Sequence, residues 1–443
     1  MKALTGSAVL VCMALLAGTA ASASDGPAHW PQWRGPLGSG VSPDATPPTS
    51  WSETQNLRWK ATLSGRGHST PIIWGDHVFI TTAIPYGEAK EALNHDRHGD
   101  HDNMRALQRH RFVVMALDRR TGQHRWQTVV HDEQPHESTH VSASWASASM
   151  VTDGKRVYAS FGSRGLYALD WRGKLLWRAN LGNMHTKHGH GEGSSPALFG
   201  DVLVINWDHE GESFVVGFDA PTGRERWRVN RKEVTSWSTP LIITHQGRSQ
   251  VIVSATDRVR GYALETGEAL WSCGGLSHNV VASPVYGQGL VHVMSSYESR
   301  AMLTIDLAKA KGDVTGSDAV LWRRMRDTPY VPSPVLSADR LCFNRHLSGV
   351  LTCVAPKTGE VLWGPRPLPG IRRMYASPII ANGHLYALGR GGDAVVLDIN
   401  ADMALVARNQ LNDTFSASPA VAGDALFLRG EGALYCLADD PSP

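Results

Sequence analysis

Between Asn183 and Glu192 the chain reads Asn-Met-His-Thr-Lys-His-Gly-His-Gly-Glu, so His185, His188 and His190 fall within six residues and a carboxylate follows. Asp208 and His209 come shortly after. Imidazole nitrogens and carboxylate oxygens are donors that zinc and copper accept, and His185, His188, His190 and His209 could together fill a four-coordinate metal site. The same imidazoles titrate near neutrality and suit acid–base work. The plainer alternative is a solvated loop whose rings bond backbone groups. His95, His98 and His101 form a second histidine-rich run, and for it the solvated loop is the simpler reading.

Whether such residues meet depends on the elements that carry them. From Ser195 to Trp227 the chain reads as four short strands, rich in β-branched and aromatic residues and bounded by Gly, Pro and Asp. The unit recurs, opening on Ser-Pro or a close variant at Ser69, Ser147, Ser195, Ser238, Ser283, Ser333, Ser377 and Ser418, and usually closing on a Thr-Gly turn and a Trp. Successive Trp residues lie about 41 to 51 residues apart, the period of a propeller blade. The last copy is one strand short, whereas Leu57–Ala61 supplies a strand with no blade of its own. The fold class is therefore all-β: an eight-bladed β-propeller whose N-terminal strand closes the last blade. Trp59, Trp126, Trp177, Trp227, Trp271, Trp322 and Trp363 are expected to wedge between blades.

This topology sorts the loops. In a four-stranded blade, the loop between strands two and three shares a face with the loop leading to the next blade. The long loops fall there: Pro85–Arg111, His131–Trp145 and His185–Glu192. The opposite face carries short, repetitive turns, so function is expected on the elaborated face. Residues placed on it are His68, Trp145, Arg164, His185, His188, His190, Asp208, His209, Trp237, Asp257, Arg258, His278, Tyr297, Tyr330, Arg345, Arg372, Tyr375 and Arg390. Arginines and aromatic rings suit an anionic or sugar-like ligand.

Length and composition bound the rest. The repeats fill residues 57–438 of 443, which makes one propeller domain preceded by a Pro/Gly/Trp-rich arm (24–56) and followed by a short tail (439–443). A formal charge of +2 gives no reason to expect nucleic acid as partner. Met1–Ala23 has a lysine, an apolar run of about ten residues and an Ala-Ser-Ala site, the features of a signal peptide cleaved near Ala23. That run is too short to span a bilayer, and a periplasmic or secreted monomer is expected. Cys342 and Cys353 fall on adjoining strands and could form a disulfide in an oxidising compartment; buried free thiols are the alternative.

The pattern Asp-x-x-Thr-Gly-x-x-x-Trp, seen at Asp118–Trp126 and Asp219–Trp227, resembles the tryptophan-docking repeat of pyrroloquinoline-quinone (PQQ) dehydrogenases. It is similar too to the BamB-like outer-membrane assembly factors, which share the eight-bladed fold and bind no quinone. The run Trp30-Pro31-Gln32-Trp33-Arg34-Gly35-Pro36 resembles the start of many exported PQQ-like propellers. Quinone dehydrogenases hold their cofactor beside a disulfide of adjacent cysteines, and this chain has no Cys-Cys pair, so PQQ is not expected; a metal ion stays open. The resemblance implies an envelope binding or scaffold module with a small-molecule, glycan or envelope-protein partner on the His/Arg/aromatic face. The alternative is an enzyme on that face, either a quinone- or metal-dependent oxidoreductase or a polysaccharide-active enzyme.

Overall fold

The computed structural model describes residues 29–93 and 102–439. Its strands form eight sheets, the blades of a propeller, each built on four antiparallel strands, and two of them carry a fifth strand added in parallel. Blade 3 is typical, with Ala197–Phe199 innermost, then Val202–Trp207, Ser213–Asp219 and Glu225–Arg231. Val202–Trp207 is buried along its whole length, because each sheet packs on neighbours at both faces, whereas the outer strand is largely exposed or half-buried. Leu57–Thr62 pairs antiparallel with Ala433–Leu437, with Lys60 opposite Tyr435, and so completes blade 8 as expected.

The tryptophans staple blade to blade. Trp59, Trp126, Trp177, Trp227 and Trp322 each lie on the turn glycine of the following blade, respectively Gly122, Gly173, Gly223, Gly267 and Gly359. A Cβ on Gly223 would come within 2.6 Å of the Trp177 ring, so the close approach demands glycine there, as does a φ of +72°. The five indoles donate to backbone carbonyls of the next blade, for example Trp227 Nε1 to Leu264 O at 2.8 Å. Trp271 departs from the pattern and donates to Gln250 Oε1 within its own blade, 2.9 Å away. The blade it would dock on has a longer excursion, and Gly312–Asp313 of that excursion adds as a parallel fifth strand beside Trp271 and Ser272.

The Ser-Pro openings also link the blades. The amide of Thr70 donates to Ser149 Oγ, that of Ser149 to Ser195 Oγ, and that of Ser195 to Thr239 Oγ1. The relay continues through Ser283, Ser333, Ser377 and Ser418, each bond being 2.8–3.0 Å long. These eight residues form a hydroxyl girdle around the axis.

The arm crosses the face opposite the long loops. Trp30 is fully buried and bonds Ile73 of blade 1, while Val41–Ser42 runs parallel to Ile380 and Ala381 of blade 7. Between them the Arg34 guanidinium donates to Pro378 O at 2.8 Å and Pro334 O at 2.6 Å. In blade 6, Cys342 and Cys353 lie directly opposite with Cα atoms 4.1 Å apart and are joined as a disulfide. Cys273 and Cys436 are buried free thiols.

The insertion expected from Pro85 is shorter at its base, because His77–Tyr86 and Arg109–Asp118 stay paired out to Tyr86 opposite Arg109. Residues 88–93 form no helical turn. Asn103–Met104 returns to pair with Thr139–His140 of the next long loop. The expected leader and His95, His98 and His101 lie outside the described residues.

Candidate functional site

On the elaborated face the girdle opens into an axial cavity of about 480 Å³, within the usual size range of ligand pockets. Trp33 of the arm contributes to its lining. Around the mouth stand Tyr297, Tyr330, Tyr375, His346, Arg373 and Arg390 on one side, with His68, His140, His190 and Trp237 on the other. Tyr330 stacks on His346 with ring centres 5.0 Å apart, and the Arg390 guanidinium lies 4.8 Å above the Tyr375 ring. Arg390 also faces Glu431 at 3.5 Å, which Arg66 approaches at 3.3 Å.

Burial sets the charge states here. It pushes the His68 imidazole down to about 4, so the ring is neutral. His346 is lowered by burial first, then by Arg300 and Arg373 nearby. Burial raises the Tyr330 phenol to about 12, which leaves it a hydrogen-bonding group rather than a base.

Of the residues expected on this face, His68, His190, Trp237, Tyr297, Tyr330, Tyr375 and Arg390 line the cavity. In two adjacent pairs the neighbour faces it instead: His346 rather than Arg345, and Arg373 rather than Arg372. Arg345 is half-exposed and 3.8 Å from Asp327, and Arg372 is exposed.

Others are consumed by structure. Arg164 is 4 % exposed and bonds Glu133 and Glu192 at 3.0 Å each. Asp208 is paired at 3.0 Å with buried Arg231 and accepts from Ser236 Oγ at 2.7 Å. Trp145 donates to Glu137 O and packs on His110. Asp257 is exposed near the outer rim, and Arg258 bonds Ser272 and Asp313. His278 faces Glu298 at 2.7 Å, also on the outer rim.

The proposed metal ligands do not converge. His209 Nδ1 accepts from the His185 amide and its Nε2 lies 3.2 Å from Glu212 O, so both ring nitrogens are engaged by backbone. His185 lies 3.8 Å from Glu137, and His190 Nδ1 sits 2.9 Å from Asn103 Oδ1. Among the described residues no three His, Cys, Asp or Glu side chains are grouped to hold a metal ion. The cluster instead ties the third blade's lead-in loop to its neighbours.

Sequence reasoning missed the hydroxyl girdle as a feature of the site, reading the Ser-Pro openings only as strand starts. The signal was present in the spacing, since a hydroxyl recurs at each opening.

Eight four-stranded blades, tryptophan-stapled and closed by an N-terminal strand, define a β-propeller of the PQQ-repeat class. The sequence profile of the family described as outer membrane protein assembly factor BamB matches residues 49–206 and 211–440, and the chain belongs to that family. It is 22% identical over 343 residues to outer membrane protein assembly factor BamB of Yersinia pestis, covering 73% of this chain and 79% of that protein. Among solved structures, BamB from Moraxella catarrhalis superposes with a TM-score of 0.55 at 13% identity, over 89% of this chain and 99% of that one. The quinohemoprotein alcohol dehydrogenase ADHIIG from Pseudomonas putida HK5 superposes with a TM-score of 0.56 at 11% identity, over 94% and 82%. At these identities the likeness to solved structures is one of fold.

Proposed function

We propose that the chain is an exported binding and scaffold module of the cell envelope, which docks a partner on the face carrying the long loops. The observation that carries this reading is the gathering of His68, His190, Trp237, Tyr297, Tyr330, Tyr375 and Arg390 at one open mouth on a rigid ring. Family membership supports a protein partner in outer-membrane assembly, as named for its relatives. Tyr297 is 42 % exposed and Met325, in the loop from blade 5 to blade 6, is 63 % exposed, which gives that face apolar anchors of the kind that interfaces bury. The Cys342–Cys353 bridge fits an oxidising compartment, in keeping with export from a leader at Met1–Ala23. The test places a photo-crosslinking residue at Tyr297 in cells of the source organism, and another at Thr222 on the opposite face. An outer-membrane assembly protein is expected to crosslink from Tyr297 and not from Thr222. Equal capture from both faces, or capture from Thr222 alone, overturns the proposal.

A further inference from the structure

The girdle turns hydroxyl donors on the axial cavity that have no acceptor among the described residues. Each girdle hydroxyl from Ser149 round to Ser418 accepts an amide from the preceding blade, and none has an acceptor for its own proton among the described residues. Thr70 Oγ1, 1 % exposed as a residue, has no hydrogen-bond partner among the described residues. All of the girdle except Ser333 lines the cavity. Buried hydroxyl protons call for an acceptor, and a ring of them around one space suits a group that only accepts.

The charges point the same way. Arg34, beneath the Ser333–Ser377 arc, is buried and donates only to carbonyls, Pro334 O and Pro378 O among them. Arg429, at the seam between blades 8 and 1, is buried and among the described residues bonds only Ser69. Neither has a carboxylate within ion-pair distance among the described residues, and burial depresses both to about 9, so they remain charged at neutral pH. Arg373 at the mouth is exposed and likewise lacks a carboxylate partner among the described residues. Of the carboxylates around the cavity, Asp102 belongs to its lining beside His140, Glu192 is engaged by Arg164 and Ser163, and Glu431 at its edge by Arg66 and Arg390. Uncompensated buried cations are expensive; neither Arg34 nor Arg429 lines the cavity, so an anion in the axis would offset them through the Ser-Pro openings they bond rather than by direct contact.

We infer that the axial cavity is a receptor site for a small oxyanion-bearing ligand, a carboxylated or phosphorylated sugar. The oxyanion would sit on the hydroxyl girdle and the sugar ring against Tyr297, Tyr330 and Tyr375, with Arg373 closing over the charge. This rests on the elaborated face being the binding face. The assay below uses the purified chain alone, so its failure leaves protein docking standing, and a failed crosslink leaves this site standing.

The experiment titrates the purified mature protein by calorimetry with glucuronate, glucose 6-phosphate, inorganic phosphate and neutral glucose, following tryptophan fluorescence in parallel. At least one charged sugar is expected to bind about tenfold or more tighter than glucose, since charge-assisted hydrogen bonds carry that preference. Binding of glucuronate over glucose 6-phosphate would assign a carboxylate, and the reverse order a phosphate. If inorganic phosphate matches the sugars, the rings contribute nothing and the sugar assignment falls. Arg373→Gln, an exposed change that leaves the girdle intact, should weaken binding about tenfold. Arg248→Gln, on a turn of the opposite face, should leave it unchanged. Absence of binding by all four probes up to about 10 mM, or equal affinity for charged and neutral sugars, overturns the inference.

Discussion

His292 has Nδ1 2.7 Å from Thr304 Oγ1, and the residue is fully buried. Burial pushes its imidazole down to about 3, and that of His68 to about 4. Both rings are neutral in the folded chain, whereas an unfolded histidine takes up a proton below about 6.5. A depressed folded-state value adds stability that is complete above the unfolded value and drains away as pH falls through the folded one. The window therefore runs from about 6.5 down to about 4 for His68 and about 3 for His292. Within it each ring adds a slope of about 1.4 kcal/mol per pH unit. Denaturant titrations between about pH 6 and pH 4.5 should show His292→Gln losing stability with acid less steeply than the parent, by about that one-proton slope. Parallel slopes would mean that His292 is protonated in the folded state. Carboxylates add to the slope in both proteins and cancel in the difference.

Trp227 and Trp363 occupy equivalent positions on the outer strands of blades 3 and 6, yet only the first finds an acceptor. Trp227 Nε1 donates to Leu264 O at 2.8 Å, while Trp363 Nε1 is buried with no partner among the described residues. Trp227→Phe should then cost about 1–3 kcal/mol more than Trp363→Phe, because it strands a buried carbonyl as well as shrinking the ring. Equal losses in chemical unfolding would show that area alone holds the staple. At this scale the sequence was informative, because most blades repeat their own glycine, turn and tryptophan and so state their register without help from their neighbours; blade 7, whose outer strand Ala404–Gln410 has no tryptophan, is the exception. The loops do not. Arg345 and His346, or Arg372 and Arg373, alternate between faces, so a one-residue register decides which enters the cavity. That register is set by contacts remote in sequence, such as Tyr330 N to His346 O and the bridge between Ser348 and Arg373. Arg164, Asp208 and His209 carry the right chemistry for a site, but carboxylates, arginines and carbonyls of neighbouring loops claim them, and no local pattern announces those partners.

The ring has one seam where the chain closes on itself, and it is built unlike the other junctions. The girdle relay ends at Ser418, since Thr70 Oγ1 receives no amide, and Arg429 reaches across to Ser69 in its place. Leu57–Thr62 completes blade 8, while Trp59 from the same strand lies on Gly122 of blade 1 and donates to Arg119 O at 2.9 Å. One segment thus joins both sides of the seam, and the arm's Trp30 and Trp51 share the core beneath it with residues of blades 1, 7 and 8. A chain shortened to begin at Leu63 would keep all of blades 1 to 7 but leave Ala433–Leu437 as a bare, apolar edge. Such an edge offers unpaired amides and carbonyls to any strand that comes near. The shortened chain should self-associate or lose cooperative unfolding, and a synthetic peptide of residues 29–63 added during refolding should return it to a monomer with a single transition. Light scattering on a sizing column, with and without the peptide, reads the outcome directly. A shortened chain that stays monomeric and unfolds at the parent's denaturant midpoint would show that the other seven junctions hold the ring closed by themselves, and that the N-terminal strand only covers an edge.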